Sequence, residues 1–420
     1  MIDEITKEVG YSINYDIVQR NIKNYKILFI SSLVDEETIN NVCKGIINDS
    51  YYFQTANVSK ENNLNVAINR FLAGCILVEY ENDLFVIEAR SYPLRGINEP
   101  ENEKTINGAH DGFVESLKVN TALIRRRIKD KAFQCKLVNV ANNDITINYL
   151  KDKVNVDILN KLQKRLESLK TKNFPLGSKE LARQLLLNEK LSLFPQFRNT
   201  ERADIASLYI LKGYIVILID CSSSAIIIPS SFFMVNEQIE EYQLNPIVSF
   251  VNKVFRFFCM FIGLFLLPLW LIISKQGESF TSFFIVMDKI DYQRLYLEII
   301  TVQIILNAIR LASFNTPSPL MTTMSIVSAI VLGSIVTSIS IITEEVIFYC
   351  ALSSICIFSL SNYETSKAIS LWNLILIFLT GKFGKNGFLI GCIILFLSLV
   401  SIKNYGSYYL EPFIPFKIKK

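Results

Sequence analysis

A single histidine, His110, stands in 420 residues. That excludes any multi-histidine metal centre and leaves histidine-dependent chemistry one candidate. The eight cysteines are scattered with no C-x-x-C pair, which excludes a zinc ribbon or redox motif and argues against a disulfide-stapled secreted domain. Neither G-x-G-x-x-G nor G-x-x-x-x-G-K-[ST] occurs, so no phosphate-cradling nucleotide loop is visible. Glycine (16) and proline (11) are modest and half of the residues are hydrophobic. Collagenous, low-complexity and disordered classes therefore fall away. This inventory predicts no enzyme, no cofactor and no metal.

Charge is scarce too, and unevenly so. Of 82 charged residues only 21 fall in 251–420, 13 basic and 8 acidic, while 1–250 carry 30 basic and 31 acidic. The first part has an ordinary soluble composition and the second a membrane composition. Residues 1–10 are polar, with Asp3, Glu4, Lys7 and Glu8, unlike a signal peptide. The N-terminal region is therefore expected in the cytoplasm.

Charge-free stretches mark the expected spans. Residues 257–274 reach about 27 Å as a helix. Residues 311–343 carry no charge, and Pro317 and Pro319 restrict that span to 320–342. Residues 346–363, 368–381 and 386–402 follow, the last two joined by a turn at 382–385 and reading as a helical hairpin. Residues 295–314 are apolar but carry Glu298, Gln303, Asn307 and Arg310. At 100° per residue these four fall within about 180°. Such a helix either lies at the interface or spans with that side toward other helices or water, because a charge facing hydrocarbon is costly. Six spans would put both termini in the cytoplasm. Lys253, Arg256, Lys417, Lys419 and Lys420 agree with the positive-inside rule and Lys382 and Lys385 do not; five spans stay open.

Residues 1–250 read as two successive α/β units. Strands are expected at 26–32, 75–80, 84–90, 136–141, 145–150, 214–220 and 225–229, with helices at 35–48, 64–73, 155–170 and 179–188. The expected architecture is a two-lobed α/β soluble region followed by an all-α polytopic membrane domain of five to six helices. Its boundaries are 1–110, 111–245 and 246–420, with the joint in the turn-rich stretch 93–110. Two polar clusters stand out. In 112–130, Arg125, Arg126 and Arg127 are adjacent and fan over most of a helix circumference, so one of them should meet the interior or a partner. In 198–204 (RNTERAD), Asn199 or Thr200 could cap a helix, and Glu201 and Arg202 could bridge subdomains or subunits. A salt-bridged interface outweighs catalysis for both. Nucleic-acid binding is disfavoured by the slight negative charge of the region.

These blocks, in order, resemble the GerA family of spore germination receptor A subunits. Gly108, His110, Asp111, Gly112, Phe113, Glu115, Asn120 and Leu123 to Arg127 match one family block. Pro195, Arg198, Thr200, Glu201, Arg202, Asp204 and Ile205 match another, with Ala203 where the family has proline. Residues 213–220, Pro229, Phe232 and Phe233, Pro317 and Pro319, and the tail 409–416 continue the likeness over the whole chain. Arg90 to Pro93 (RSYP) and the short tail after Pro415 set it toward one paralogue of the receptor A subunits. The resemblance implies a multi-pass protein of the spore inner membrane with its N-terminal domain on the core side. It implies an oligomeric ring around a pathway for monovalent cations, acting early in germination. The implied partners are a permease-like subunit, a lipoprotein subunit or a small membrane protein.

A conducting ring needs a narrow, weakly polar helix side. Thr322, Ser325, Ser328, Leu332 and Ser338 supply it on 320–342, although small residues such as Gly333 also serve plain helix packing. Relatives carry a glutamine and an acid where this chain has Ser334 and Ser338, which puts strong selectivity in doubt. Glu344 and Glu345 could replace that acid as a ring at the mouth, concentrating cations in a salt-dependent way. Arg125, Arg126, Arg127, Glu201, Arg202, Glu298 and Arg310 are the interface or coupling candidates. An intramembrane metalloprotease fails because its histidines are missing. A secondary transporter, which should show repeated broken helices, ranks second, and a non-conducting scaffold third.

Overall fold

The computed structural model describes residues 1–48, 58–81, 83–91, 109–140, 143–169, 177–186, 192–276, 292–315, 326 and 342–413. The chain divides into two compact units. One holds Met1–Lys190, Gln196–Val235 and Lys403–Glu411; the other holds Leu191–Pro195, Asn236–Ile402 and Pro412–Lys420.

The first unit opens with α1 (Ile2–Glu8), β1 (Ile17–Ile22), β2 (Tyr25–Ile30), α2 (Glu36–Ile47), β3 (Val58–Lys60), α3 (Leu64–Leu72), β4 (Cys75–Tyr80) and β5 (Asp83–Glu88). The sheet is antiparallel in the order β1-β2-β4-β5-β3. Leu28, Ile30, Leu77 and Val86 face α1 and α3, while Ile27, Phe29, Ile76, Val78 and Ile87 face α2. Both faces are covered. That is why KILFI and CILV read as continuous apolar runs instead of alternating ones.

The second lobe follows with α4 (Leu117–Arg127), β6 (Phe133–Val140), β7 (Asn143–Leu150), α5 (Val156–Leu169), α6 (Ser178–Leu185), β8 (Arg198–Thr200), α7 (Ala203–Leu211), β9 (Ile215–Ile219) and β10 (Ala225–Ile228). Its strand order, β6-β7-β9-β10-β8, repeats the permutation of the first sheet. Each lobe runs helix, two strands, helix, strand, helix, two strands, with α6 the one addition. The last crossover repeats in detail. Gly74 (φ +97°) and Gly213 (φ +89°) each make a left-handed turn after a helix and before a central strand, where a side chain would be strained. A Cβ on Gly213 would also lie 2.7 Å from the Lys153 carbonyl oxygen.

Two short strands after the last helix, β11 (Lys403–Asn404) and β12 (Ser407–Tyr408), belong to this first unit. Tyr405 is 1% exposed, sits in the second-lobe core and donates to the Leu185 carbonyl at 2.8 Å. The expected boundary at 246–420 is corrected here. Residues 403–411 pack with the α/β fold, where two tyrosines, Tyr405 and Tyr409, are buried.

A short helix, α8 (Phe232–Val235), ends the Gln196–Val235 stretch of the first unit, and the second unit contains α9 (Pro246–Gln276), α10 (Tyr292–Asn315), α11 (Glu344–Phe358), α12 (Tyr363–Phe383) and α13 (Lys385–Val400) among the described residues. Residues Pro246–Ser274 and Tyr292–Ala312 are long and apolar enough to cross a membrane, and Lys385–Val400 is a shorter apolar helix. Leu267, Trp270, Leu271, Ile299, Val302, Tyr349 and Ile377 form the core. Phe250, Phe255, Phe258, Phe348, Ile355, Phe378, Ile393 and Phe396 are exposed, an apolar exterior far beyond what a soluble surface carries. Pro268 lies inside α9 and removes the N–H that would bond the Leu264 carbonyl. Asn373, fully buried, donates instead to Leu264 O at 3.1 Å and Gly263 O at 2.9 Å. Ser353 adds a bond to Gly263 O at 3.1 Å.

The helix expected at 346–363 is shorter and earlier. It ends at Phe358, and Asn362 caps the next helix by accepting the Thr365 N–H at 3.1 Å. The expected pore residues Thr322, Ser325, Ser328, Leu332 and Ser338 lie outside the described residues.

Candidate functional site

The three adjacent arginines part company as a 100° step per residue requires. Arg125 is 2% exposed. Its Nε donates to Asp16 Oδ2 at 2.5 Å and its Nη2 to Asp16 Oδ1 at 2.6 Å and Asn14 Oδ1 at 3.1 Å. The guanidinium stands 4.9 Å from the Phe133 ring centroid. Asp16, fully buried, also accepts from Ser32 Oγ, and Asn14 Oδ1 accepts the Cys135 N–H. One cation thus ties the start of β1 to β6 through α4. Burial opposes its charge, and the Asp16 carboxylate outweighs it, holding Arg125 above its ordinary pKa. Burial pushes the neighbouring Cys135 thiol and Tyr15 phenol well up, so neither is a nucleophile at neutral pH. Arg126 is exposed, and Arg127 holds Asp111 through both carboxylate oxygens at 2.5 and 2.6 Å.

The 198–204 cluster is a second knot. Arg198 donates to Tyr209 Oη at 3.0 Å and to Met234 O at 2.7 Å. Arg202, 1% exposed, grips Asp204 at 3.0 and 2.7 Å and reaches Ala109 O at 2.8 Å. The Glu201 carbonyl accepts the Phe113 N–H at 2.7 Å. The capping expectation is corrected: Asn199 and Thr200 pair with β10, so Arg202 is the N-cap of α7 and no side chain caps it. Among the described residues no group of His, Cys, Asp and Glu could hold a metal. Arg125, Arg127, Arg198 and Arg202 are thus tied to the fold by their carboxylate, carbonyl and hydroxyl partners.

In the helical unit the polar side of α10 turns toward other helices. Gln303, 1% exposed, donates to Cys350 O at 3.4 Å, and Asn307 Oδ1 accepts from Ser370 Oγ at 2.7 Å. Glu298, 6% exposed, accepts Arg294 Nε on one oxygen at 2.8 Å. Its other oxygen accepts the Thr343 N–H at 3.1 Å and hydroxyl at 3.0 Å. Thr343 therefore spends its hydroxyl on Glu298 and gives α11 no side-chain cap. Glu344 and Glu345 occupy the first turn instead, where carboxylates oppose the helix dipole. Glu344 is exposed and Glu345 half-buried, and among the described residues neither makes a hydrogen bond or ion pair. Glu298 thus fixes the residue that precedes two carboxylates with no ion pair among the described residues.

Arg310 lies near the other end of α10, 4.4 Å from the Phe358 ring and 5.3 Å from that of Tyr363. The sequence singled out most of these residues; it missed Asp16, Asn14, Thr343 and Asn373. The partners of Arg125 lie over a hundred positions away, and no local period signals them. Pro268 in an apolar run is the one cue that some side chain must satisfy freed carbonyls.

Comparison with known proteins now adds a lineage. Residues 3–420 match the family described as Bacillus/Clostridium GerA spore germination protein. Stage V sporulation protein AF of Bacillus subtilis (strain 168) is 33% identical over 371 residues, covering 87% of this chain and 75% of that protein. Spore germination protein KA of the same organism is 24% identical, covering 99% of this chain and 81% of its own. Spore germination protein GerLA of Bacillus cereus is 26% identical, covering 87% and 76%. The crystal structure of the N-terminal domain of the A subunit of the Bacillus megaterium spore germinant receptor GerK3 aligns with 55% of this chain and 94% of its own, at 21% identity and TM-score 0.40.

Proposed function

The chain belongs to the GerA spore germination family, and from that premise we propose that it is a multi-pass subunit of an oligomeric ion-release complex in the spore membrane, acting early in germination. The observation that carries the ionic part is the pair Glu344 and Glu345. These carboxylates close an uncharged stretch of 33 residues, 311–343, follow a turn held by Glu298, and form no ion pair among the described residues. Repeated around a ring, they would concentrate monovalent cations at a mouth.

Connectivity supports an even number of crossings. The chain leaves the first unit after Val235 and returns to it at Lys403. The five described helices and the expected span at 320–342 give six. The soluble unit would lie in the cytoplasm, on the side of Lys253 and Arg256. The transporter reading loses ground at Pro268. The carbonyl freed by that break, Leu264 O, is occupied by the Asn373 amide, and its neighbour Gly263 O by Asn373 and Ser353, so neither is open to an ion. Neighbouring germination membrane proteins, permease-like or lipoprotein, are the expected partners.

The test is the detergent-purified full chain. Native mass spectrometry should show a closed homo-oligomer, and the same protein in liposomes should pass potassium without a coupled co-ion. A monomer or dimer that is electrically silent overturns the reading.

A further inference from the structure

Three helix ends meet at one corner of the helical unit: the last turns of α10 with Arg310, the end of α11 at Phe358, and the start of α12 with Tyr363 and Lys367. The Arg310 guanidinium faces both aromatic rings, and the Lys367 ammonium lies 5.7 Å from the Tyr363 ring. Arg310 and Lys367 repel each other. Arg310 Nη1 is buried and has no hydrogen-bond partner among the described residues. Neither cation forms an ion pair among the described residues, and 311–343, which follows Arg310 directly, contains no charged residue. Phe358 and Tyr363 are each 40% exposed, so the corner is open.

Elsewhere in this unit a cation near a buried position has a carboxylate: Arg256 and Lys253 meet Glu241, and Arg294 meets Glu298. Two like charges gathered at one place with an unsatisfied guanidinium N–H call for an external anion. A guanidinium offers a planar fork that matches a phosphate, and a lysine adds a point charge. We propose that Arg310 and Lys367, backed by Phe358 and Tyr363, bind a phosphate group, foremost the headgroup of an anionic phospholipid. The leaflet rests on the multi-pass reading above, which puts this corner on the same side as the soluble unit; the phosphate chemistry does not. The aromatic rings suit a headgroup-depth site, because tyrosine favours the boundary between apolar and wet surroundings.

The experiment uses the full chain and native mass spectrometry after delipidation. Phosphatidylglycerol is offered against an uncharged glycosyl diacylglycerol, with and without inorganic phosphate. The expected result is one retained phosphatidylglycerol per protomer. Retention should fall at least tenfold in the double variant Arg310→Gln/Lys367→Gln, survive in Arg310→Lys, and be unchanged in Lys385→Gln at the opposite helix ends. A lipid source predicts retention in the presence of inorganic phosphate. A soluble source predicts displacement by phosphate, with saturable phosphate binding to the delipidated protein. Equal retention of the uncharged lipid, or no loss of either ligand in a double variant whose melting is unchanged, overturns the proposal. Extraction with alkaline carbonate reads membrane integration separately. If the protein is released, the multi-pass reading fails, and the phosphate titration still decides the cation pair.

Discussion

In the soluble unit a buried arginine, Arg125, meets a carboxylate, an amide and an aromatic ring within one lobe joint. The helical unit pairs Arg256 with Glu241 and Arg294 with Glu298 and buries amides and hydroxyls against carbonyls, as at Asn373 and Ser353, but it leaves Glu344, Glu345, Arg310 and Lys367 outside any ion pair among its described residues. The contrast teaches where charge holds the fold and where it faces outward. A buried ion with all its partners cannot respond to a solute without losing the fold. A carboxylate or guanidinium that the protein does not neutralise is available to one.

The sharpest way to break this contrast is Arg125→Met. It would leave the fully buried Asp16 charged, with the Ser32 hydroxyl as its remaining side-chain donor among the described residues, and should cost about 3–5 kcal/mol of the α/β unit's stability. Arg126→Met should stay within about 0.5 kcal/mol. Denaturant unfolding of the purified chain measures both; equal effects would mean that burial does not separate these neighbours. Next in size is Asn373→Leu, which leaves the Leu264 carbonyl without its donor in an apolar interior and should cost about 1–3 kcal/mol, seen as a lower melting point in detergent. Gly213→Ala should cost about 1–2 kcal/mol from the left-handed backbone alone. Gly74→Ala should cost less, because its nearest contact would be 3.2 Å and not 2.7 Å; the same unfolding assay sharpens how far the two lobes are equivalent.

The smallest effect concerns Asp35, which caps α2 by accepting the Thr38 N–H at 2.8 Å. Asp35→Ala should cost about 1 kcal/mol. The Thr38 hydroxyl, then its N–H, hold the Asp35 carboxyl below its ordinary pKa. Its contribution is therefore present above the unfolded carboxylate range near about pH 4 and lost as pH falls through the lower folded value. Asp35→Asn should keep the cap and remove that acid-side slope, measured as melting point against pH.

Much of the fold was legible because burial writes itself into local pattern. The runs at 26–32 and 75–80, the helix at 35–48 and the hairpin at 382–385 all came from apolar period and turn residues. The strands β3, β8, β11 and β12 were not legible, since two or three residues carry no period. Without β1, β3 and β8 the repeated strand order of the two lobes stayed hidden. The angular argument shows that one of Arg125, Arg126 and Arg127 meets the interior or a partner; that it is Arg125, and that Asp16 receives it, is set by the tertiary fold, which alone brings them together. The cap expected at Asn199 or Thr200 fails because that local signal, a polar residue before a helix, loses to strand pairing with Ile226 and Ala225. Glu344 and Glu345 were visible as a pair; that Glu298 anchors the turn before them was not.

The most direct test of the account is potassium efflux from liposomes carrying the full chain, with and without Glu344→Gln/Glu345→Gln, at low and high ionic strength. An acidic mouth predicts a several-fold loss of flux in the double variant at low salt that closes near 1 M salt, where screening acts within about 3 Å. Flux that ignores the substitution at every salt concentration would contradict it.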